Sequence, residues 1–390
     1  MNKKNIALII PSLRGGGAEK TVSRLSYELD KRYNLYIILF NNINKVYEVK
    51  GHVIDLKLPA SNNIFTKSLR FFKKLIRLKE IKSEYEIDIS ISFMEGPNIL
   101  NILSRSNDKI IVSVRNYLTK STKGKEQIYV PFIKFFYNKA DHIISASKTV
   151  EKDLINNFNV KSNKVQTIYN FLDIDNIKEK MMEEIEDEYK YIFNKQVLIN
   201  VGRLEEQKGQ EYLIKSFKYV NDYNPDINLI LLGKGLLFDK LQKLIKDLDL
   251  QDNVFLLGFK SNPYKFMYHS KMYLNSSLYE GFGNVITEAM TCDLPVITAD
   301  CPSGVNEIIS PSTINGTINN YPFYADYGII TKSFLKNNGI LKKEKMFANT
   351  IIDLLEEKEK YKYYKKMSSK RILNFSKENI MGQWIRLIED

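Results

Sequence analysis

Cysteine is nearly missing. Two occur in 390 residues, Cys292 and Cys301. That excludes a disulfide-stapled secreted scaffold and fits a reducing compartment. Long apolar runs are missing too: none approaches the roughly 18 residues of a membrane-spanning helix. Histidine occurs only three times, and tryptophan once, at position 384. There is no internal repeat and no low-complexity tract. The opening MNKKNIALIIPSL pairs two lysines with a short apolar stretch, as a signal peptide does. It runs into Gly15-Gly16-Gly17 rather than a small-residue cleavage site, so a first buried strand is expected.

What the chain does have is length, apolar content and a lopsided charge. With 390 residues and 44% hydrophobic side chains it can fill two domains and bury a sizeable core. The net charge is +12. The first 170 residues hold 29 Lys and Arg against 15 Asp and Glu, and the remainder 29 against 31. All the positive excess sits in the first half, which points to an anionic partner or surface for that half.

Short apolar runs alternate with longer amphipathic ones, the pattern of parallel sheets flanked by helices. The first half offers strands at Ile6–Ile10, Leu35–Phe40, Ile87–Phe93, Ile110–Val114 and His142–Ser145. Helices are expected at Thr21–Leu29, Leu69–Ile81 and Thr149–Asn157. After an extended stretch at Val165–Asp175 comes a charged segment, Lys178–Lys190, with the character of a linker or surface helix. A second alternation opens at Val197–Val201. It runs through helices Glu211–Tyr223, Leu237–Asp247 and Val285–Cys292, with strands Asn228–Leu232, Val254–Leu257, Met272–Asn275 and Pro295–Ala299. The polar stretch Ser310–Tyr327 is expected to be an irregular loop, and the Lys-rich end of the chain helical. In open α/β sheets ligands sit beyond the carboxyl ends of strands.

Three stretches carry chemistry. In Ser276–Met290, SSLYEGFGNVITEAM, Glu280 and Glu288 stand eight apart, with Gly281 and Gly283 between them leaving room for a ligand near the backbone. A helix starting near Asn284 points unpaired amides at that loop, a geometry for diphosphates. The carboxylates then suit hydroxyls, one of a sugar and one of a ribose. In VGRLEEQKG, Arg203 and Lys208 follow a strand end. Arginine offers a fork of donors and lysine a point charge, and together they can neutralise a diphosphate leaving group without a metal. In RGGGAE, the triplet Gly15-Gly16-Gly17 makes a tight turn that departs from the dinucleotide fingerprint. Each stretch also has a purely structural reading, as a capping loop, a pair of surface cations or a plain turn.

Taken together, these residues resemble a retaining glycosyltransferase of family 4. The matching elements are Gly15-Gly16-Gly17-Ala18-Glu19, Gly202-Arg203, Lys208-Gly209, Gly233-Lys234-Gly235, Leu257-Gly258-Phe259, the Glu280/Glu288 pair and DCPSGVNEI at Asp300–Ile308. The last is similar to members that build bacterial surface polysaccharides and lipid-linked oligosaccharides. The resemblance implies an α/β protein of GT-B fold, two doubly wound Rossmann-like domains facing across a cleft. It implies an acceptor-binding domain at 1–170, a linker at 171–195 and a donor-binding domain at 196–374. A terminal helix at about 375–390 would pack back on the first domain. It further implies that Arg203 and Lys208 bind the diphosphate of a nucleotide sugar, that of UDP for preference, and that Glu288 takes the ribose. Glu280 and the backbone of Gly281, Phe282, Gly283, Asn284 and Val285 would hold the sugar and phosphate. Gly233, Gly258 and Phe259 would surround the base, and Gly15, Gly16 and Gly17 close the far side. Glu280, Arg203 and Lys208 are the catalytic candidates, with no cofactor and no metal. Asp173-Ile-Asp175 and Asp247-Leu-Asp249 have the form of a metal motif, but they fall in the linker and a helix and are expected to be structural.

One departure matters. Relatives place a histidine after the strand matching Ile110–Val114, whereas this chain reads Ser113-Val114-Arg115-Asn116. The role is empty or passes to Arg115. His52, His142 and His269 are expected to be core or surface residues. For the acceptor, Lys67, Arg70, Lys74 and Arg77 recur on one face of a helix in TKSLRFFKKLIRLKEI, and YVPFIKFFY adds aromatic residues. That face suits an anionic membrane or a diphosphate-linked lipid, or else simply packs on the sheet. No nucleic-acid-reading motif accompanies the charge. The expectation is a bacterial hexosyl- or N-acetylhexosaminyltransferase acting on a lipid-linked or surface glycan, peripheral on the inner face of the cell membrane. An epimerase of the same shape and a silent sugar-binding subunit are the alternatives.

Overall fold

The computed structural model describes residues 3–59, 63–121, 127–314, 316–335 and 339–390. The chain divides into two compact units. One is Met1–Phe171 with Ile380–Asp390, and the other is Leu172–Asn379.

The first unit is built on seven strands: β1 Asn5–Ile10, β2 Asn34–Leu39, β3 His52–Asp55, β4 Ile89–Phe93, β5 Lys109–Val114, β6 His142–Ser145 and β7 Val165–Thr167. Their order is β3-β2-β1-β4-β5-β6-β7, all parallel, with the direction of winding changing beside β1. Continuous apolar runs such as NIALII and KIIVSV are what a strand covered on both faces requires. Val22, Leu25 and Leu29 of helix Gly17–Leu29 share one core with Ile380, Met381 and Trp384 of the terminal helix Lys377–Glu389. Leu78 and Ile81 of helix Ile64–Glu84 fill another, with Ala7, Ile9 and Ile38. Lys4 and Lys109 donate to the last carbonyls of the terminal helix, Ile388 O and Leu387 O, at 2.9 and 2.8 Å. Cations at a helix C-terminus satisfy orphan acceptors and oppose the helix dipole. Local caps set other boundaries: Asn63 accepts from the amides of Phe65 and Thr66, and Ser147 from that of Val150.

The second unit repeats the plan with β8 Gln196–Val201, β9 Ile227–Leu232, β10 Val254–Gly258, β11 Met272–Asn275, β12 Val296–Ala299, β13 Phe323–Tyr324 and β14 Ile329–Thr331. The order is β10-β9-β8-β11-β12-β14-β13, parallel except for the edge pair β13 and β14. Helices Gln210–Tyr223, Phe238–Asp247 and Ile340–Glu356 close its main core. Both sheets have the doubly wound form expected from the sequence.

The segment expected as a linker, 171–195, is folded onto the second unit. Asp173 caps helix Ile174–Met181 by accepting from Asn176 N, which accounts for the Asp173-Ile-Asp175 motif. Asn262 donates to Lys180 O at 2.8 Å, Lys265 pairs with Glu186 at 2.9 Å, and Asn228 donates to Ile192 O at 2.7 Å. The segment's charges hid these anchors. The expected loop at Ser310–Tyr327 contains the short strand β13; residue 315 lies outside the described residues.

Candidate functional site

The site in the second unit grows from the loops that leave the carboxyl ends of β8, β9, β10 and β11. Those loops are tied to one another. Gly202 N donates to Leu232 O, and Gly233 N to Gly258 O, at 2.9 and 2.8 Å. Gly233 has φ +150°, and a Cβ there would collide with the carbonyl oxygen of Gly202. Only glycine allows this approach of two strand ends. Leu204 N reaches Lys234 O at 3.1 Å, so the Arg203 turn and the Gly233–Gly235 turn form one rim. Lys234 Nζ lies 5.3 Å from the centre of the half-exposed Phe259 ring.

Lys208 sits at the end of a short 3-10 turn, Glu206–Lys208, just before the left-handed Gly209. That turn is stitched to the loop after β11. Leu278 N donates to Gln207 O at 2.8 Å, Gln207 Nε2 to Tyr279 O at 3.0 Å, and Ser276 Oγ to Lys208 O at 2.9 Å. The result brings Lys208 Nζ onto Glu280 Oε1 as an ion pair, with the side chains 18% and 12% exposed. Ser277 Oγ donates to the same carboxylate oxygen at 2.8 Å and lies 2.9 Å from Asn275 Oδ1. Charges this sheltered are screened far less than surface pairs. Arg203 is held differently: it pairs with Glu205 at 3.0 Å and stays about half exposed.

Glu288 lies inside helix Asn284–Thr291 and is buried, as its place one turn past the helix start requires. Gly283, at φ +101°, begins that helix, and Gly304 N donates to Gly281 O at 3.0 Å, pinning the glycine loop. Asn284 and Val285 form its first turn. The Phe282 ring is buried edge-on to Phe375, 5.3 Å away, and anchors the loop, which leaves its backbone as the part that could meet a ligand. Tyr273, buried in β11, has its phenol pushed far up, first by burial and then by Glu280 and Glu288. Tyr273, Asn275 and Ser277 are the parts of this site that motif spacing passes over. The only signal for them is position: Ser277 lies within SSLYE, and Tyr273 and Asn275 just before it.

In the first unit, Gly15 has φ +116°, and the Glu19 carboxylate folds back against Gly16. That is the reach of an N3 glutamate in a capping box, over a helix that begins at Gly17. Arg115, an acceptor candidate from the sequence, is not an exposed residue. Its guanidinium is drawn inward, with Nη1 donating to Ile168 O and Asn170 Oδ1 at 3.3 and 3.1 Å. The three histidines lie elsewhere. His52 packs beside Tyr36 and Tyr85, His142 begins β6, and His269 Nδ1 is 3.0 Å from Lys265 O.

The basic helix face is corrected in part. Helix Ile64–Glu84 exposes Lys67 and Arg77, but Arg77 pairs with Glu80 at 3.0 Å. Arg70 donates to Pro59 O at 2.9 Å, and Lys74 lies over the Phe40 ring at 4.6 Å. Burial, and then Arg70, pull the pKa of Lys74 down. The exposed stripe is apolar: Phe65, Leu69, Phe72 and Ile76 recur at helical spacing, with Phe65 80% and Phe72 60% exposed. Phe132 and Phe135 of helix Tyr129–Phe136 are exposed as well. Among the described residues, no helix is long and apolar enough to cross a membrane.

Both units resemble known proteins. Residues 15–176 match the model of Glycosyltransferase Family 4, and residues 181–371 that of glycosyl transferases group 1. An uncharacterized glycosyltransferase of Methanocaldococcus jannaschii is 35% identical over 382 residues, 92% of this chain and 93% of its own. The N-acetylgalactosamine-N,N'-diacetylbacillosaminyl-diphospho-undecaprenol 4-alpha-N-acetylgalactosaminyltransferase of Campylobacter jejuni is 31% identical over 313 residues, 78% of this chain and 83% of its own. Anabaena Alr3699/HepE in complex with UDP shares the fold, with a TM-score of 0.76 at 19% identity over 99% of both chains.

Proposed function

The chain belongs to the family 4 glycosyltransferases, of GT-B fold, and on that premise we propose that it moves a hexose or N-acetylhexosamine from a UDP-linked donor, with retention, to a lipid-linked or surface-glycan acceptor. The observation that carries this reading is the sheltered Lys208–Glu280 pair at the carboxyl ends of β8 and β11, oriented by Ser277. Breaking a glycosidic bond to a diphosphate builds positive charge on the sugar and negative charge on the leaving group. Lys208, with the more exposed Arg203, neutralises the departing diphosphate. Glu280, relieved of its lysine, accepts from sugar hydroxyls and faces the electron-poor ring. The amides of Gly281, Gly283 and Asn284 add fixed dipoles at the helix start, which cost no reorganisation during the reaction. Glu288 takes the ribose, and Gly233, Gly258 and Phe259 border the base.

The choice of UDP is supported by the HepE structure, which holds UDP. The acceptor class is supported by the Campylobacter relative, named for a diphospho-undecaprenol substrate. Peripheral attachment to an anionic membrane is supported by the exposed stripe Phe65–Leu69–Phe72–Ile76 and the positive excess of the first 170 residues. A calorimetric panel of nucleotide sugars, followed by acceptor trials with polyprenyl-diphosphate sugars, tests the reading. Binding of UDP ligands and transfer undiminished by EDTA are expected, with the product keeping the donor's anomeric configuration. A chain that binds no nucleoside diphosphate overturns it, and loss of transfer in EDTA overturns the metal-free part.

A further inference from the structure

A guanidinium has five N–H donors in a rigid plane. That of Arg115, directly after β5, uses Nη1 on Ile168 O and Asn170 Oδ1. Asn170 Oδ1 is held in turn by Thr21 Oγ1 at 3.1 Å. The rings of Phe93 and Trp384 lie 5.8 and 5.7 Å from the guanidinium carbon, so its position is fixed by packing as well as by hydrogen bonds. Yet Nε and Nη2 are both buried and, among the described residues, have no hydrogen-bond partner. Among the described residues no carboxylate pairs with Arg115.

Those two nitrogens are not a random remainder. Nε and one Nη lie along one side of the plane with parallel N–H bonds, the edge that receives two oxygens of one carboxylate or phosphate. Buried donors are almost always satisfied, and a bare cationic edge is more costly than a bare neutral one. The same unit meets the needs of another buried cation within the fold. Buried Lys82 pairs with Asp108 at 2.8 Å and donates to Asn101 O at 3.1 Å. A single trapped water, with one oxygen, matches this edge poorly.

We infer that the Nε–Nη2 edge of Arg115 is an oxyanion receptor in the first unit, shaped for a carboxylate or phosphate group of a substrate. Desolvation alone, with no counter-charge, lowers the pKa of Arg115 to about 9, in keeping with a charge that waits for its partner. Three sources share the required chemistry: the donor's own diphosphate, the carboxylate of a uronic-acid donor, and the diphosphate of a lipid-linked acceptor. The inference rests on the transfer reading only for the choice of these sources.

The test uses the full chain and the variants Arg115→Gln and Arg115→Lys. Each is titrated calorimetrically with UDP-glucose, UDP-glucuronate, geranyl diphosphate and inorganic pyrophosphate. Arg115→Gln is expected to lose at least tenfold in affinity for one or more of them, and Arg115→Lys, which keeps charge but no fork, to recover only part of it. Loss confined to UDP-glucuronate assigns a sugar carboxylate. Loss confined to geranyl diphosphate assigns the acceptor, and equal loss of both UDP ligands assigns the donor diphosphate. Ligand-free melting of Arg115→Gln should stay level or rise, because a dry charge is removed. A large fall in melting temperature with every affinity unchanged makes Arg115 structural and overturns the inference. The pyrophosphate arm is independent of sugar transfer. A chain that binds pyrophosphate through Arg115 but no UDP ligand keeps this inference and loses the transfer reading. UDP binding with all four probes indifferent to Arg115→Gln does the reverse, and a wild type that binds none of the four removes both.

Discussion

Replacing Lys208 by methionine separates binding from folding. Among the described residues Lys208 is the cation paired with Glu280, and Ser277 also donates to that carboxylate. Both side chains of the ion pair are largely sheltered, so Lys208→Met strands a buried carboxylate, at a cost of about 3 kcal/mol. For a unit of this size each kcal/mol lowers the melting temperature by roughly 2–4 °C, so a fall of about 6–12 °C is expected. The hydrogen bond that the ammonium would give a diphosphate is worth about 1.5–3 kcal/mol, or roughly 10–150-fold in Kd for UDP. The double variant Lys208→Met with Glu280→Gln distinguishes the two effects. Removing the stranded charge should restore much of the melting temperature, because the introduced amide keeps an oxygen for Ser277. It should not restore UDP affinity, since no cation returns. Calorimetry with UDP and thermal melting on the wild type and the two variants decide it. If the double variant regains both stability and affinity, Lys208 acts only by holding the loop, and the leaving-group role is refuted.

Three further outcomes follow from particular contacts. Gly233→Ala forces a side chain into a positive-φ position against the Gly202 carbonyl. It should cost more than about 1 kcal/mol from backbone strain alone, read as a lower urea midpoint together with weaker UDP binding. His142, whose imidazole burial and then Lys109 hold below the ordinary 6.5, is kept neutral by folding. The unfolded chain takes the proton first as pH falls through 6.5, so this contribution to stability is present above 6.5 and is lost as pH drops through the folded value. His142→Gln should flatten that part of the urea-midpoint profile. Phe72→Ser removes an exposed ring, so melting should move by no more than about 0.5 kcal/mol equivalent. Partitioning onto anionic phosphatidylglycerol vesicles should fall by roughly tenfold, from the loss of about 1.5 kcal/mol or more of apolar burial; unchanged vesicle binding removes the stripe from the membrane.

Much of the architecture was legible because buried parallel strands announce themselves. Met272–Asn275 and His142–Ser145 match their expected bounds, and others differ by a residue or two at their ends. What was missed lacked the signal. Strand His52–Asp55 is an edge strand of four residues with two polar ends, so no apolar run marks it. Helix Glu95–Leu103 is short and buried on nearly all sides, Pro97, Asn98 and Asn101 included, so no charged solvent-facing stripe marks it. The face of helix Ile64–Glu84 was misassigned for a related reason. Helical spacing fixes which residues share a face but not which face meets the sheet, and here Lys74 turns in over Phe40 while Phe72 turns out. In the candidate site of the second unit, Arg203, Lys208, Glu280 and Glu288 were conspicuous by charge and spacing. Ser277 and Tyr273 were not, since their part depends on a loop from β8 meeting a loop from β11, a contact made only in three dimensions.

Among its described residues the first unit holds the Lys82 ammonium and the Arg115 guanidinium away from solvent, and their difference separates fold from function. Lys82 is fully buried, and its partner Asp108 also accepts from Ser90 at 2.5 Å and from the amide of Ser106 at 2.9 Å. Each member of that network answers another's need, so removing one exposes the rest to the desolvation penalty. Arg115 is positioned with similar care, by two hydrogen-bond acceptors and two rings, yet among the described residues nothing answers its most directional edge. Packing precision combined with an unmet charge is a poor way to stabilise a sheet and a sound way to hold a receptor ready. Rigidity lowers the ordering cost of binding, and dryness strengthens whatever oxyanion arrives. A sequence that pairs one cation at the base of the sheet and leaves another bare at its carboxyl end thus distinguishes, within one unit, a residue that serves the fold from one that serves a ligand.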